Sequence, residues 1–416
     1  MPRKLSVTIF LAVVVLSIAF LLSFDLSPPD SLPAYRVEVL HLEGHADVRP
    51  AAINDSGNLL LISRFNKFGG NRNGIPLRVE KALLWRKGDL LPIQSTGTNI
   101  REFAGCKLNN RDEVIGLFSA GLEVERHAFY WNPETGMLKP IARDLEAELI
   151  RKGYQTTPLG INAKGDILLQ FQSTLATKVA SENEEAGPAC ILTRAGETFE
   201  SSFLPVGPKY VDLNDEGWAL GCKGDLAYLT NGSATETFSL EPDSLEGDRL
   251  TPVQLTNRKE VLLKGPYPPR LSRPETLSGS VMVWSPEGGY QSIPVPQEGL
   301  FQQFLYFEDI ATVLMNAQWI NKPTRLASAL DWFDVPSSWI PNEYYRKVYG
   351  GPVVSPFIAS PAGLREINNL VPEGFRGTIR FVWDVNAHGQ IAAEIYRGGQ
   401  RRAAILTPIE TPEMGG

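Results

Sequence analysis

Three groups of residues in this sequence combine types and spacings that could do chemistry. His41, Glu43 and His45 alternate along an apolar stretch, and alternate side chains on a strand share a face, so two imidazoles and a carboxylate could hold a divalent metal. Gly44 breaks that strand, however, and no metal site is assigned on so short a motif. Asp212-x-Asn214-x-Glu216-Gly217 has the alternating oxygens and the bending glycine of the start of a calcium loop, but its twelfth position is Lys223, where a bidentate carboxylate is required. The third group is aromatic. Between Gln318 and Gly351 stand Trp319, Trp332, Phe333, Trp339, Tyr344, Tyr345 and Tyr349, interspersed with Arg325, Asp331, Asp334, Arg346 and Lys347. Indole and phenol rings give large, rigid contact areas, so Trp319, Trp332, Trp339, Tyr344 and Tyr345 are candidate binding residues for a protein or a glycan. The alternative is a cap whose rings pack on the body beneath, because exposed rings are expensive to leave uncovered.

The remaining polar residues point to no reaction. His127 and His388 stand singly, and no nucleophile elbow, P-loop, Cys-x-x-Cys pair or His-Glu-x-x-His helix is present, so no catalytic residue and no cofactor are assigned. Pro266 to Pro274 suits a stiff polyproline excursion, and Ser181 to Gly187 a solvated loop. Net charge is −7 and no basic stripe runs along the chain, which excludes a phosphate-tracking nucleic-acid binder.

What must position these groups is a repeat. Ile53 to Leu61 (INDSGNLLL) matches Leu108 to Gly116, Ile161 to Leu169, Leu213 to Gly221, Leu255 to Leu263 and Val385 to Ala393, with a degenerate copy at Phe307 to Met315. The asparagine position of each copy falls at 54, 109, 162, 214, 256, 308 and 386, a spacing of 42 to 55 residues except for a final 78. That period suits propeller blades, and the long interval is an insertion, Gln318 to Gly351, in the sixth repeat. Asparagine tolerates positive φ and glycine three residues later permits a tight bend, so each copy reads as a turn launching an inner strand. A second strand (Ala82 to Trp85, Ala128 to Trp131, Val281 to Trp284, Ala404 to Leu406) follows, then a Pro/Gly turn such as Asn132 to Gly136 and a third strand. Meanders of this kind cannot bury both faces alone, and seven of them close naturally into a ring. Tyr35 to Leu42 is a strand pattern without a repeat of its own, placed to complete the last blade.

Arg126 to Trp131 (RHAFYW), together with the Asn-x-x-Gly turn before each apolar run, resembles the HAF-repeat family of extracellular bacterial proteins. Only one copy carries the full His-Ala-Phe; Lys81 and Arg402 stand where other copies would have the histidine. The resemblance covers most of residues 35–408 and implies export and a propeller-like repeat body, but no activity.

The address comes from the N-terminus. Leu5 to Phe24 is free of charge and long enough to span a bilayer, with Arg3 and Lys4 before it and Asp25 and Asp30 after it, the asymmetry that leaves the body outside. The sequence therefore predicts an all-β, seven-bladed β-propeller closed by an N-terminal strand and preceded by one N-terminal transmembrane helix. The expected segments are a signal anchor or signal peptide over 1–24, a Pro-rich spacer over 25–34, the propeller over 35–408 and a flexible tail over 409–416. A cleaved, secreted form is the alternative to the membrane-tethered one. Cys190 and Cys222 fall in successive repeats, where one disulfide could form, although small buried thiols are the commoner use of such residues. The expected function is a membrane-tethered, extracytoplasmic binding module for protein or glycan. The alternatives are a glycosidase- or lyase-type enzyme with carboxylates gathered at the central channel, and a structural envelope protein.

Overall fold

The computed structural model of the chain describes residues 34–409 except 46, 68–76, 94–99, 121–125, 137, 142–153, 174–186, 196–197, 242–249, 266–280, 294–299, 308–311, 322–350, 361–362, 373 and 398–399. Leu5 to Phe24 lies outside the described residues. Among those described, no helix is long and apolar enough to cross a membrane.

Seven four-stranded antiparallel sheets account for all the described strands, the architecture of a seven-bladed propeller. Strand β1 (Tyr35–Val39) precedes the first blade, which is β2 (Asp47–Ile53), β3 (Leu59–Lys67), β4 (Leu77–Arg86) and β5 (Asp89–Ile93). The second comprises β6 (Ile100–Leu108), β7 (Val114–Ala120), β8 (His127–Trp131) and β9 (Leu138–Pro140), and the third β10 (Tyr154–Ile161), β11 (Ile167–Ser173), β12 (Ala189–Ala195) and β13 (Thr198–Phe203). Next come β14 (Lys209–Leu213), β15 (Ala219–Lys223), β16 (Leu226–Thr230) and β17 (Thr235–Ser239), then β18 (Thr251–Leu255), β19 (Val261–Lys264), β20 (Val281–Ser285) and β21 (Gly289–Ile293). The sixth blade is β22 (Leu300–Phe307), β23 (Thr312–Asn321), β24 (Gly351–Ser360) and β25 (Gly363–Glu366). The seventh has β26 (Thr378–Val385), β27 (Ile391–Arg397) and β28 (Gln400–Pro408), with β1 as its outer strand, Tyr35 opposite Pro408 and Val39 opposite Ala404.

The first strands of successive blades touch one another all the way round, β26 meeting β2, so they are the innermost. This corrects the sequence reading in one respect. The asparagine turn does not launch the inner strand; it joins the inner strand to the second, and each blade has four strands where the repeat showed three. The inner strand escapes pattern reading because it carries proline at Pro50, Pro158 and Pro252 and breaks register by a bulge, both of which blur strand alternation.

The run after each turn is apolar on both faces because both faces are covered. In the first blade Leu60, Ile62, Ala82 and Leu84 pack towards the second blade, whereas Leu59, Leu61 and Leu83 pack with Ala392, Ala403 and Ile405 of the seventh. Equivalent clusters fill the other described interfaces, with Ile115, Leu169 and Phe171 between the second and third blades and Leu220, Leu229 and Leu263 between the fourth and fifth.

Side chains of the turns tie the blades together. Asn54 Nδ2 donates to the carbonyl of Asn109 (3.1 Å), Asn109 to Asn162 (2.9 Å), Asn214 to Thr256 (2.9 Å) and Asn386 to Asn54 (2.9 Å). A second circuit lies one residue on. The N–H of Ala387 donates to Asp55 Oδ1 (2.9 Å), that of Asp55 to Asn110 Oδ1 (2.9 Å), that of Ala163 to Asp215 Oδ1 (2.6 Å) and that of Asp215 to Asn257 Oδ1 (2.8 Å). The third residue after the asparagine has positive φ in every described turn. It is glycine at 57, 165, 217 and 389 but Asp112 (φ 63) and Lys259 (φ 61) elsewhere. Asp112 offsets its conformational cost by accepting from Asn54 Nδ2 (2.7 Å) and Asn58 Nδ2 (2.8 Å) of the preceding blade. At Gly165 (φ 85) a Cβ would also meet Arg111 Nη2 at 1.9 Å, so a larger residue there would be strained in φ and would displace that guanidinium.

Removing a buried amide that serves two neighbours leaves their acceptors unsatisfied, at about 1–3 kcal/mol. Asn54→Ala is therefore expected to lower the thermal midpoint clearly, and Asn257→Ala, at an exposed link, to lower it by much less. Equal effects in calorimetry would show that the buried circuit is not the stronger one.

Candidate functional site

In three blades the residue two before the turn asparagine is charged, where Ala52, Gly160 and Gln254 hold the place in others. The three are Lys107 on β6, Asp212 on β14 and Asp384 on β26, and their mutual electrostatic influence spans the second, fourth and seventh blades. Blades so far apart in the ring approach one another only across the axial channel. Each aspartate is also built into the scaffold: Asp212 Oδ2 accepts from Leu255 N and Asp384 Oδ2 from Ile53 N, both at 2.9 Å and both in the next blade. Burial raises the pKa of Asp212 against the attraction of Lys107. It raises that of Asp384 from 3.8 to about 6, opposed by the N–H of Ile53 and by Lys107 and reinforced by Asp212.

Further along the channel, Arg49 on β2 lies over the ring of Trp383 on β26, its guanidinium carbon 4.8 Å from the centroid, and its Nε has no hydrogen-bond partner among the described residues. Burial first, and then the nearby Arg64, lower its pKa, while Glu80 and Glu394 oppose them. Glu80 is itself fully engaged, by Arg64 Nε at 2.6 Å and Phe103 N at 2.9 Å. This last bond belongs to a pattern. A polar side chain on the second or third strand of one blade meets the inner-strand backbone of the next: Gln170 accepts from Tyr210 N (2.9 Å), and Asn316 both accepts from and donates to Val382. Where the receiving residue is Pro158 or Pro252, which offer no N–H, the position equivalent to Gln170 in the preceding blade holds Leu117 or Cys222. Glu394 departs from the rule. It is buried on the seventh blade, whose neighbour in the ring presents Pro50, and has Arg401 Nε 3.8 Å away.

The strand directions separate the two faces of the ring. One face carries the asparagine turns and the turns between third and fourth strands, none longer than the six residues 132–137. All connections between second and third strands depart from the opposite face, including 174–188, 265–280 and 322–350, which contain the Ser181–Gly187 stretch, the Pro266–Pro274 stretch and the aromatic insertion. The insertion itself is shorter than its sequence boundaries, because Gln318 to Asn321 pair with Gly351 to Val354 inside the sheet. Trp319 therefore sits on β23 opposite Val353, while Trp332, Trp339, Tyr344 and Tyr345 lie outside the described residues.

The other motifs resolve into scaffold. His45 Nδ1 bonds Ser63 Oγ at 2.8 Å, His41 Nδ1 bonds Arg402 Nη1 at 2.8 Å, and no group of metal-ligating side chains is found among the described residues. In the calcium-like run, Asp212 serves Leu255, while Asn214 donates to Thr256 and accepts from Trp218 N at 2.8 Å. Cys190, buried between the second and third blades, and Cys222, half-buried between the fourth and fifth, are free thiols on the far sides of two adjacent sheets, which prevents a bridge. Burial pushes the Cys190 thiol up to about 12.

The comparisons with known proteins end at fold. No family model matches the chain, and no curated protein matches it significantly. Similar solved structures include a prolyl endopeptidase, at 10% identity and TM-score 0.47 over 89% of this chain and 51% of that one. Another is an oligogalacturonate lyase in complex with manganese, at 11% and 0.45 over 91% and 97%. TolB from Acinetobacter baumannii stands at 10% and 0.35 over 84% and 64%. The chain thus spans about half the length of the endopeptidase. At such identities and scores, none of these bears on its activity.

The axial cluster yields a pH test. Folding raises the Asp384 pKa, so this group stabilises the folded state fully below pH about 4 and loses that contribution as pH rises through about 6. Asp384→Asn is expected to flatten the fall in thermal midpoint over that window. Lys107→Met, by removing an attraction, should move the window to higher pH, and profiles identical to the unmodified chain would refute the cross-channel coupling.

Proposed function

We propose that this protein is a binding module that contacts a protein or glycan through the face of long connections, with 322–350 as the principal contact. The supporting observation is the division of the two faces. The described asparagine turns are tied by hydrogen bonds on one side, and every long second-to-third-strand connection departs from the other. Rigid scaffolds carry recognition in just such connections. The insertion contains Trp332, Trp339, Tyr344 and Tyr345, residue types that give much contact area for little lost entropy.

The chain enters the propeller at Tyr35 on the turn face, since β1 runs from that face towards the other. Leu5 to Phe24 as a membrane anchor and an extracytoplasmic body are part of this reading. Membership of the HAF-repeat family is part of this proposal and agrees with an exported body. The enzyme reading draws on a single observation, that Asp384, with a pKa raised to about 6, shares the channel with Lys107 and Asp212. Against it, both aspartates already hold backbone N–H groups of the next blade.

Glycan- and protein-array binding by the full chain, compared with a chain in which 322–350 is replaced by a short Gly-Ser link, separates these readings. Binding that disappears with the replacement while the thermal midpoint is kept supports the module. Absence of binding by both forms, together with polysaccharide turnover that Asp384→Asn abolishes, would overturn it in favour of the enzyme.

A further inference from the structure

The segment that leads from β1 to β2 crosses from the seventh blade to the first and bounds a cavity of about 510 Å³. Val48 and Ala403 form part of its apolar base, and His41, Arg401 and Arg402 stand along its wall. It opens on the face of long connections, at the seam where the ring closes.

The geometry of Arg402 gives this cavity its character. Nη1 meets His41 Nδ1 at 2.8 Å and Nη2 donates to Gln400 Oε1 at 3.1 Å. A guanidinium only donates, so in this contact His41 Nδ1 is the acceptor and the ring's Nε2 is left as its donor. Two acceptors thus fix the planar fork before any ligand arrives, while Nε and the second hydrogen of each Nη remain available. Arg401 adds a second guanidinium, about half exposed, whose Nε stands 3.8 Å from Glu394. The approach of Lys81 to His45 adds further positive charge beside the cavity, and Glu43 is the one acid among the residues lining it.

We propose that this cavity binds the oxyanion group of a small molecule, a phosphate or a carboxylate, held by the forked donors of Arg402 with Arg401 and the Nε2–H of His41. Planar forks match both groups in bidentate fashion, and a fork already fixed in place loses little freedom on binding. Because the cavity wall comes from both sides of the ring closure, an occupant would also brace the first blade against the seventh.

The test uses the full chain, with inorganic phosphate and glucuronate as separate probes and sodium chloride at matched ionic strength as the control. A saturable rise in thermal midpoint and a calorimetric isotherm with one probe but not with chloride are expected, phosphate and glucuronate telling the two oxyanions apart. Arg402→Lys, which keeps the charge and loses the fork, should weaken binding about tenfold or more, and Arg401→Gln should weaken it without unfolding the chain. Saturable binding that survives replacement of 322–350 locates the site in the cavity rather than in the insertion. No saturable response to either probe, or undiminished binding by Arg402→Lys, would overturn the proposal.

Discussion

The structure depends on the hydrogen bonds that pass from turn to turn, seen from the seventh blade through the first to the fifth. A propeller has no central element to which its blades attach; each sheet packs only against two neighbours, and the ring holds if every interface does. Apolar contact between sheets is strong but tolerant of sliding, whereas an amide aimed at one carbonyl of the neighbouring turn fixes a register. The circuit through Asn54, Asn109, Asn214 and Asn386 does this at the buried edge, and the circuit through Asp55, Asn110, Asp215 and Asn257 repeats it at the exposed edge.

The same constraint explains where charge is tolerated inside. Asp212 and Asp384 are carboxylates in a crowded channel, a costly placement unless something accepts them. Each is accepted by a backbone N–H of the next blade that the bulged inner strand leaves for it. Gln170, Asn316 and Glu80 do likewise one layer away, and the alternation with proline shows the logic: a donor on one blade is matched by an acceptor on its neighbour, and a proline by an apolar side chain. Glu394 and Arg49 are the departures, a buried acid facing a proline and a guanidinium laid on Trp383 with its Nε unmatched among the described residues. They sit beside the closure of the ring, next to the segment that walls the cavity.

Rigidity on one face frees the other. Once the turn face is locked, a connection on the far face can lengthen without disturbing the register, because its strand ends are already paired; β23 and β24 remain in register as far as Asn321 and Gly351. The insertion, the Pro-rich excursion and the Ser181–Gly187 stretch look unrelated in the linear chain. They share one side because all three join second strands to third.

Repeat, strand content and blade number were legible in the sequence, because most turns supply the same amide, the described ones share the same positive φ, and the second strands are apolar on both faces. The turn asparagines could be found without knowing what they bind. The inner strands could not, since prolines, bulges and channel-facing polar residues erase the alternation by which a strand is recognised. Nor could the grouping of Lys107, Asp212 and Asp384, which are separated by 105 and 172 residues in the sequence and converge only because the ring is closed. The local sequence thus determined the blade, through backbone conformation and burial that act over a few residues. Tertiary structure decided which side chains share a channel, a cavity or a face, because those neighbours lie in other blades and only ring closure sets their distances.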